Sequence, residues 1–192
     1  MKKFVSIILC LVLLLSFCGC NGDNNTNIEV SEKEISDTVF LNKITNQANH
    51  NYLSYAFAEP DLTEQYEKVV LAEDAAEVKD YLIESKIIVE ECKEFDILIT
   101  QEETKNAVET EHNRIKEPSQ EEYYNALLSA LEQNNITETE YLSLLESDSY
   151  YKYNKISLKN HFSDKKYDSS KSESLDKQFE QYIDKLVEDY LK

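Results

Sequence analysis

Apolar side chains recur along this chain at steps of three and four, the period of an α-helix. Over residues 32–58 the positions Ile35, Val39, Phe40, Ile44, Ala48, Tyr52 and Ala56 predict a first amphipathic helix. The second apolar region, 62–95, carries Val69, Val70, Val78, Leu82, Val89, Cys92 and Phe95, with a break expected near Glu73. A third helix, 101–116, is mostly polar and must stop before Pro118. The fourth, 120–133, shows Tyr124, Leu127, Leu128 and Leu131, and the fifth, 138–162, shows Tyr141, Leu142, Leu145 and Ile156. Residues 163–173 read as a solvated loop. A last helix follows, with Leu175, Phe179, Tyr182, Ile183, Leu186 and Tyr190 on one face.

Helix starts are marked by a Ser or Thr followed three places later by Glu, a reciprocal cap that satisfies orphan amides of the first turn. Four such pairs stand at expected helix starts: Ser31 with Glu34, Thr100 with Glu103, Ser119 with Glu122, and Thr137 with Glu140. Asp61 with Glu64 is a variant. Ile136 before the cap and Tyr141 after it are placed to form a hydrophobic staple. The one run that resembles a strand, "FDILIT" at 95–100, is read as a connector. Glycine occurs only at Gly19 and Gly22, so tight hairpins and phosphate-cradling loops lack their usual residue throughout the rest of the chain. The expected fold class is all-α.

At the N-terminus, Met1, Lys2 and Lys3 precede an apolar run from Phe4 to Phe17, too short for the roughly 20 residues of a membrane span. The segment "LLSFCGC" resembles a bacterial lipoprotein signal, with the small residue Gly19 before Cys20. The alternative is an ordinary secretory signal that happens to end in cysteines. The resemblance implies a signal peptide at 1–19, lipidation of Cys20, and a polypeptide held on the extracytoplasmic face of the cell membrane by its acyl chains. Residues 20–31, "CNGDNNTNIEVS", are polar and aperiodic, as a flexible tether should be. Residues 32–192 make a single helical domain.

Charge narrows the partners. The chain carries 20 basic and 38 acidic residues, a formal charge of −18, and loss of Lys2 and Lys3 with the leader takes this to −20. Such a surface repels phosphate backbones, so nucleic acid is not expected as a partner. Cys10 and Cys18 would leave with the signal and Cys20 would carry lipid. Cys92 then stands alone, and no intramolecular disulfide is expected.

The block 78–162 joins a helix ending "ESKIIVEECKEFDILIT" to "QEETKNAVETEHNRIKEPSQEEYYNALLSALEQNNITETEYLSLL". Its succession of a helix, a short turn, a "T-x-x-E" start, a short leucine-rich helix and an "I-T-x-x-E-Y" start resembles the N-terminal chaperone domain of the SurA and PrsA family of extracytoplasmic foldases. The order and spacing of elements carry the likeness, not a catalytic signature. The resemblance implies a helical lobe that cradles unfolded or extended secreted polypeptides, completed by a C-terminal helix that packs back on it. Many members also carry a parvulin-type prolyl isomerase domain, whose strands and glycines this chain does not supply.

Candidate chemistry is sparse. Cys92 lies on an apolar stripe among Glu90, Glu91 and Glu94, where burial and negative neighbours raise a thiol's pKa, and is expected to be core. Glu109 and His112 form one E-x-x-H pair, half of a di-iron carboxylate set. Neither His50 nor His161 has a Glu three places before it, so Glu109 and His112 are expected to be surface residues. No calcium loop, zinc-protease motif or nucleophile elbow occurs, and no catalytic residue, cofactor or metal is expected. Tyrosine is in excess, with 13 and no Trp, and Tyr150, Tyr151 and Tyr153 cluster in "SYYKYNK". Such rings can grip extended peptide or stack on glycans, or simply straddle the core boundary with their hydroxyls in water. The expected function is non-catalytic, chaperone-like binding of polypeptide by a membrane-anchored lipoprotein. The alternative is an envelope scaffold that docks one folded partner.

Overall fold

The computed structural model describes residues 28–56 and 71–192. Residues 1–27, with the signal, Cys20 and most of the tether, lie outside them, as does 57–70 with the Asp61 cap. The described residues form six α-helices and one 3-10 turn, with no strand: α1 (Glu32–Ala56), α2 (Ala75–Glu94), α3 (Gln101–Ile115), the turn (Pro118–Gln120), α4 (Glu121–Gln133), α5 (Glu138–Lys165) and α6 (Leu175–Tyr190). Among them no helix is long and apolar enough to cross a membrane.

Three of the four predicted reciprocal caps form. Ser31 Oγ accepts from Glu34 N–H (3.2 Å) while Glu34 accepts from Ser31 N–H (2.8 Å), and Thr100–Glu103 and Thr137–Glu140 repeat the arrangement. Ser119 does not cap α4. Pro118 opens a 3-10 turn that runs straight into the helix, so Ser119 is already inside a helical turn and α4 starts from Gln120 without a side-chain cap. The expected break near Glu73 is a cap of a different kind, in which Asp74 Oδ1 accepts from Ala76 N–H (2.9 Å) and Glu77 N–H (3.2 Å). At its far end α5 continues three residues beyond the expected 162, to Lys165.

Two helices end on a left-handed residue other than glycine. Asp96 (φ 56°) and Asn135 (φ 53°) take the left-handed position after α2 and α4. In each case the next amide reaches back over the last turn: Ile97 N–H to Cys92 C=O (3.0 Å) and Ile136 N–H to Leu131 C=O (3.1 Å). These are Schellman ends with Asp and Asn in place of Gly, whose short polar side chains tolerate that backbone better than others do. Ile97 and Ile136 then insert into the core beside Cys92 and Leu131, the hydrophobic contact that accompanies the motif.

The core is distributed along α5. Its first turn places Tyr141 against Leu41, Ile44 and Ala48 of α1 and Leu127, Ala130 and Leu131 of α4. Its last turns place Leu158 and Phe162 against Ile88 and Cys92 of α2 and Phe179 and Ile183 of α6. A third cluster joins Ile35 of α1 to Val78 and Leu82 of α2, with Tyr151 alongside. The C-terminal helix thus packs back on the body, and Phe179, only 1% exposed, anchors it. Truncating so buried a phenylalanine typically costs about 3–5 kcal/mol.

Between its apolar ends α5 buries Asp148, Ser149 and Asn154. Asn154 explains the connector at 95–100. Its Oδ1 accepts from Ile99 N–H (2.9 Å), and its Nδ2 donates to Ile99 C=O (3.1 Å) and to Tyr150 C=O (2.8 Å). Ser157 Oγ donates to Ile97 C=O (2.7 Å). Side chains of α5 take the place of a neighbouring strand, so an extended run satisfies its backbone without a sheet.

Candidate functional site

A cavity of about 420 Å³ opens between α1, α3 and α5, with Tyr123 of α4 at its edge. Leu41 and Thr45 sit one turn apart on α1, and Val108, His112 and Ile115 follow helical spacing on α3. Tyr141, Leu145 and Ser149 continue the wall at i, i+4 and i+8 on α5. The wall is therefore built by stripes from separate helices, and it mixes aliphatic side chains and tyrosines with the polar Asn42, Thr45, Gln120 and Ser149 and the charged Glu111, Arg114, Asp148 and Lys152. Tyr123 meets Tyr52 edge to face, ring centroids 5.6 Å apart and planes at 81°. Burial pushes the Tyr123 and Tyr141 hydroxyls above the usual phenol range, so both stay protonated.

His112 links the cavity wall to a polar node behind it. His112 Nε2 lies 2.5 Å from Glu138 Oε1, Tyr124 O–H donates to Glu138 Oε2 (3.0 Å), and Lys116 completes the set. The bonds from Lys116 and His112, with a smaller one from Tyr124, outweigh burial and hold the Glu138 carboxyl down at about 2. This node ties the end of α3 to the starts of α4 and α5. Deeper in, the buried Asp148 accepts from Tyr81 O–H (3.0 Å) and pairs with Lys152 (2.5 Å). At the mouth Arg114 forms hydrogen bonds to both carboxylate oxygens of Glu111 (3.0 and 2.6 Å). The two cations of the wall are matched by their own carboxylates.

The predicted residues separate here. Cys92 is fully buried, its thiol donating to Asn154 C=O (3.3 Å). Burial, with Glu91 second, pushes that thiol up to about 11, and Cys92 packs as core. Glu109 is exposed and 3.9 Å from Lys105. His112 is not the surface residue expected: it is 5% exposed, on a buried stripe with Thr104 and Val108. That stripe was present in the sequence, because Thr104, Val108 and His112 stand at i, i+4 and i+8 of an otherwise polar helix. Tyr150, Tyr151 and Tyr153 are all half-buried, and only Tyr153 reaches the cavity. Among the described residues no three His, Cys, Asp or Glu side chains gather as metal ligands.

A second hollow, about 360 Å³, lies between α5 and α6. Ile156, 54% exposed, stands in it above the buried Phe179, fenced by Lys152, Lys155 and Lys159. Lys155 is held by Glu84 (2.8 Å) and Lys159 by Asp176 (2.5 Å). Cys20 lies outside the described residues, so no geometry attaches to it. Compared with known proteins, the chain matches no family model, no curated protein and no solved structure.

Proposed function

We propose that this chain is an extracytoplasmic lipoprotein, anchored through Cys20, that binds unfolded or extended polypeptide near the membrane without catalysing a reaction. The observation that carries the reading is the cavity between α1, α3 and α5. It is large enough for a small ligand or for a few side chains of a client, since such sites typically measure about 300–1,000 Å³. Its wall combines aliphatic side chains with tyrosines, which supply contact area at low entropic cost. The acidic body keeps a complex soluble and favours basic clients. The test is aggregation suppression by the chain expressed from Asn21 onward, at stoichiometric ratio, on several unrelated unfolded proteins. Delayed aggregation of most of them supports the reading; no effect on any removes it.

A second reading, a scaffold that docks one folded partner, draws on the groove around Ile156. An exposed aliphatic side chain within a fence of fixed charges is the arrangement of an interface anchor and its rim. This reading expects one protein to co-purify in stoichiometric amount and Ile156→Asp to release it. Neither result is expected of a promiscuous holder.

A further inference from the structure

Two hollows follow one another along a single face of α5. Tyr141, Leu145 and Ser149 wall the cavity between α1, α3 and α5, Ile156 and Lys159 wall the hollow against α6, and Lys152 lines both. At 3.6 residues per turn these six positions fall within a stripe of about 80° of the helix surface. The side chain of Lys152 is 50% exposed, so the divider between the hollows lies at the surface, where a bound chain can pass over it. The α5 residues of the cavity run from 141 to 153 and those of the hollow from 152 to 159. Their midpoints are therefore about nine residues apart, roughly 13 Å along the axis. An extended polypeptide advances about 3.3 Å per residue and turns alternate side chains to the same face, so side chains four residues apart span the same ~13 Å and point the same way.

We propose that the two hollows are one groove, which takes an extended polypeptide segment with two apolar side chains four residues apart and a lysine or arginine beside the one that reaches Ile156. The inference rests on the polypeptide-binding reading and adds the length, the register and the charge of the segment. One apolar side chain meets Leu41, Val108 and Leu145 in the cavity, and the other meets Ile156 above Phe179. The charge follows from the ion pairs along the groove. Each cation is already held by a carboxylate: Arg114 by Glu111, Lys152 by Asp148, Lys155 by Glu84 and Lys159 by Asp176. Glu180 is the surplus, with its side chain 58% exposed and 3.9 Å from Lys155, beyond hydrogen-bond reach. A basic side chain next to the second anchor completes that pairing, in the field of a chain with a formal charge of −18.

The test uses the full chain in phosphatidylcholine nanodiscs and fluorescein-labelled ten-residue peptides of serine with two leucines and one lysine beside the second leucine. The leucines are separated by three, four or five positions. Fluorescence anisotropy is expected to show binding about tenfold tighter at a separation of four than at three or five, which turn the second leucine away from the groove. Ile156 is 54% exposed, so Ile156→Asp leaves the core in place. It should erase the preference for four, while a peptide with a single leucine binds as before. Glu180→Gln should weaken binding of the lysine peptide about two- to fivefold and leave a peptide with serine in that place unchanged. Affinity that is independent of the separation, a preference that survives in I156D, or equal binding of the lysine peptide by wild type and E180Q overturns the inference and leaves the polypeptide-binding reading standing. Chain-to-chain crosslinks that the peptide does not displace and I156D abolishes assign the face to a second copy, and overturn it too. Absence of binding by every peptide overturns both. Should I156D fail to fold, the separation series on the wild type decides alone.

Discussion

Replacing Asn154 by Leu tests the claim that α5 acts as the missing strand for residues 95–100. The substitution keeps the side chain's approximate volume and deletes its three hydrogen bonds, two to Ile99 and one to Tyr150. The Tyr150 carbonyl retains its helical partner, the Asn154 amide, and costs little. The Ile99 N–H and C=O lose their bonds in a half-buried setting, between the full penalty of a buried orphan group and the near-zero cost of one that finds water. At about 1–2 kcal/mol for each of these two groups, the expected loss is roughly 3 kcal/mol, a large share of a typical 5–15. In urea unfolding followed by circular dichroism the midpoint should fall with an unchanged slope, and the melting temperature should drop by roughly 6–12 °C. Asn154→Asp sharpens the test. It keeps the acceptor for Ile99 N–H but turns a carboxylate oxygen toward two carbonyls, so burial and repulsion raise its folded pKa above the unfolded value of about 3.9. An acid with a raised folded pKa loses stability as pH rises from the unfolded value toward the folded one, so N154D should lie closer to wild type at pH 4 than at pH 7. A loss below about 1 kcal/mol in N154L, or a pH-independent deficit in N154D, refutes the reasoning.

Glu138, held down at about 2, stabilises the fold fully above its unfolded pKa of 4.5, and that contribution is lost as pH falls from there through about 2. The full shift corresponds to about 3 kcal/mol. Solvent screening of a carboxylate with 30% side-chain exposure reduces this to roughly 1–1.5, and the pH titration of unfolding should flatten by that amount in Glu138→Gln. Asn135→Ala should cost about 1 kcal/mol because the left-handed backbone penalises Cβ, whereas Asn135→Gly should not; thermal melts of the two variants check this. Cys92 should resist iodoacetamide at pH 8 in the native protein and react fully in 6 M guanidinium, read by mass spectrometry, because its thiol is both buried and pushed up to about 11.

The local rules were legible where one segment contains the whole cause. The caps at Ser31, Thr100 and Thr137 need only their own first turn, so the sequence shows all three. Ser119 failed because Pro118 one place earlier set a tighter turn, a competition that the spacing of Ser and Glu does not show. The connector at 95–100 is irregular, as its sequence suggests, but its reason, Asn154, lies 55 residues away from Ile99. The cavity was illegible for the same cause, since α1, α3, α4 and α5 each supply part of a wall that none encodes alone. His112 is buried against the expectation from its polarity because it continues the Thr104–Val108 stripe of α3.

The docking of α6 sets an order on assembly. Ile88, Cys92, Leu158 and Phe162 receive their cover from Phe179 and Ile183, which belong to the last of the described helices to leave the ribosome. Until that helix arrives, the half of the body built on α2 and the end of α5 offers a bare oily surface to its surroundings, while the half built on α1 and α4 is already able to close. A nascent chain of this design is therefore itself in need of shelter for the time between the synthesis of α5 and the emergence of α6.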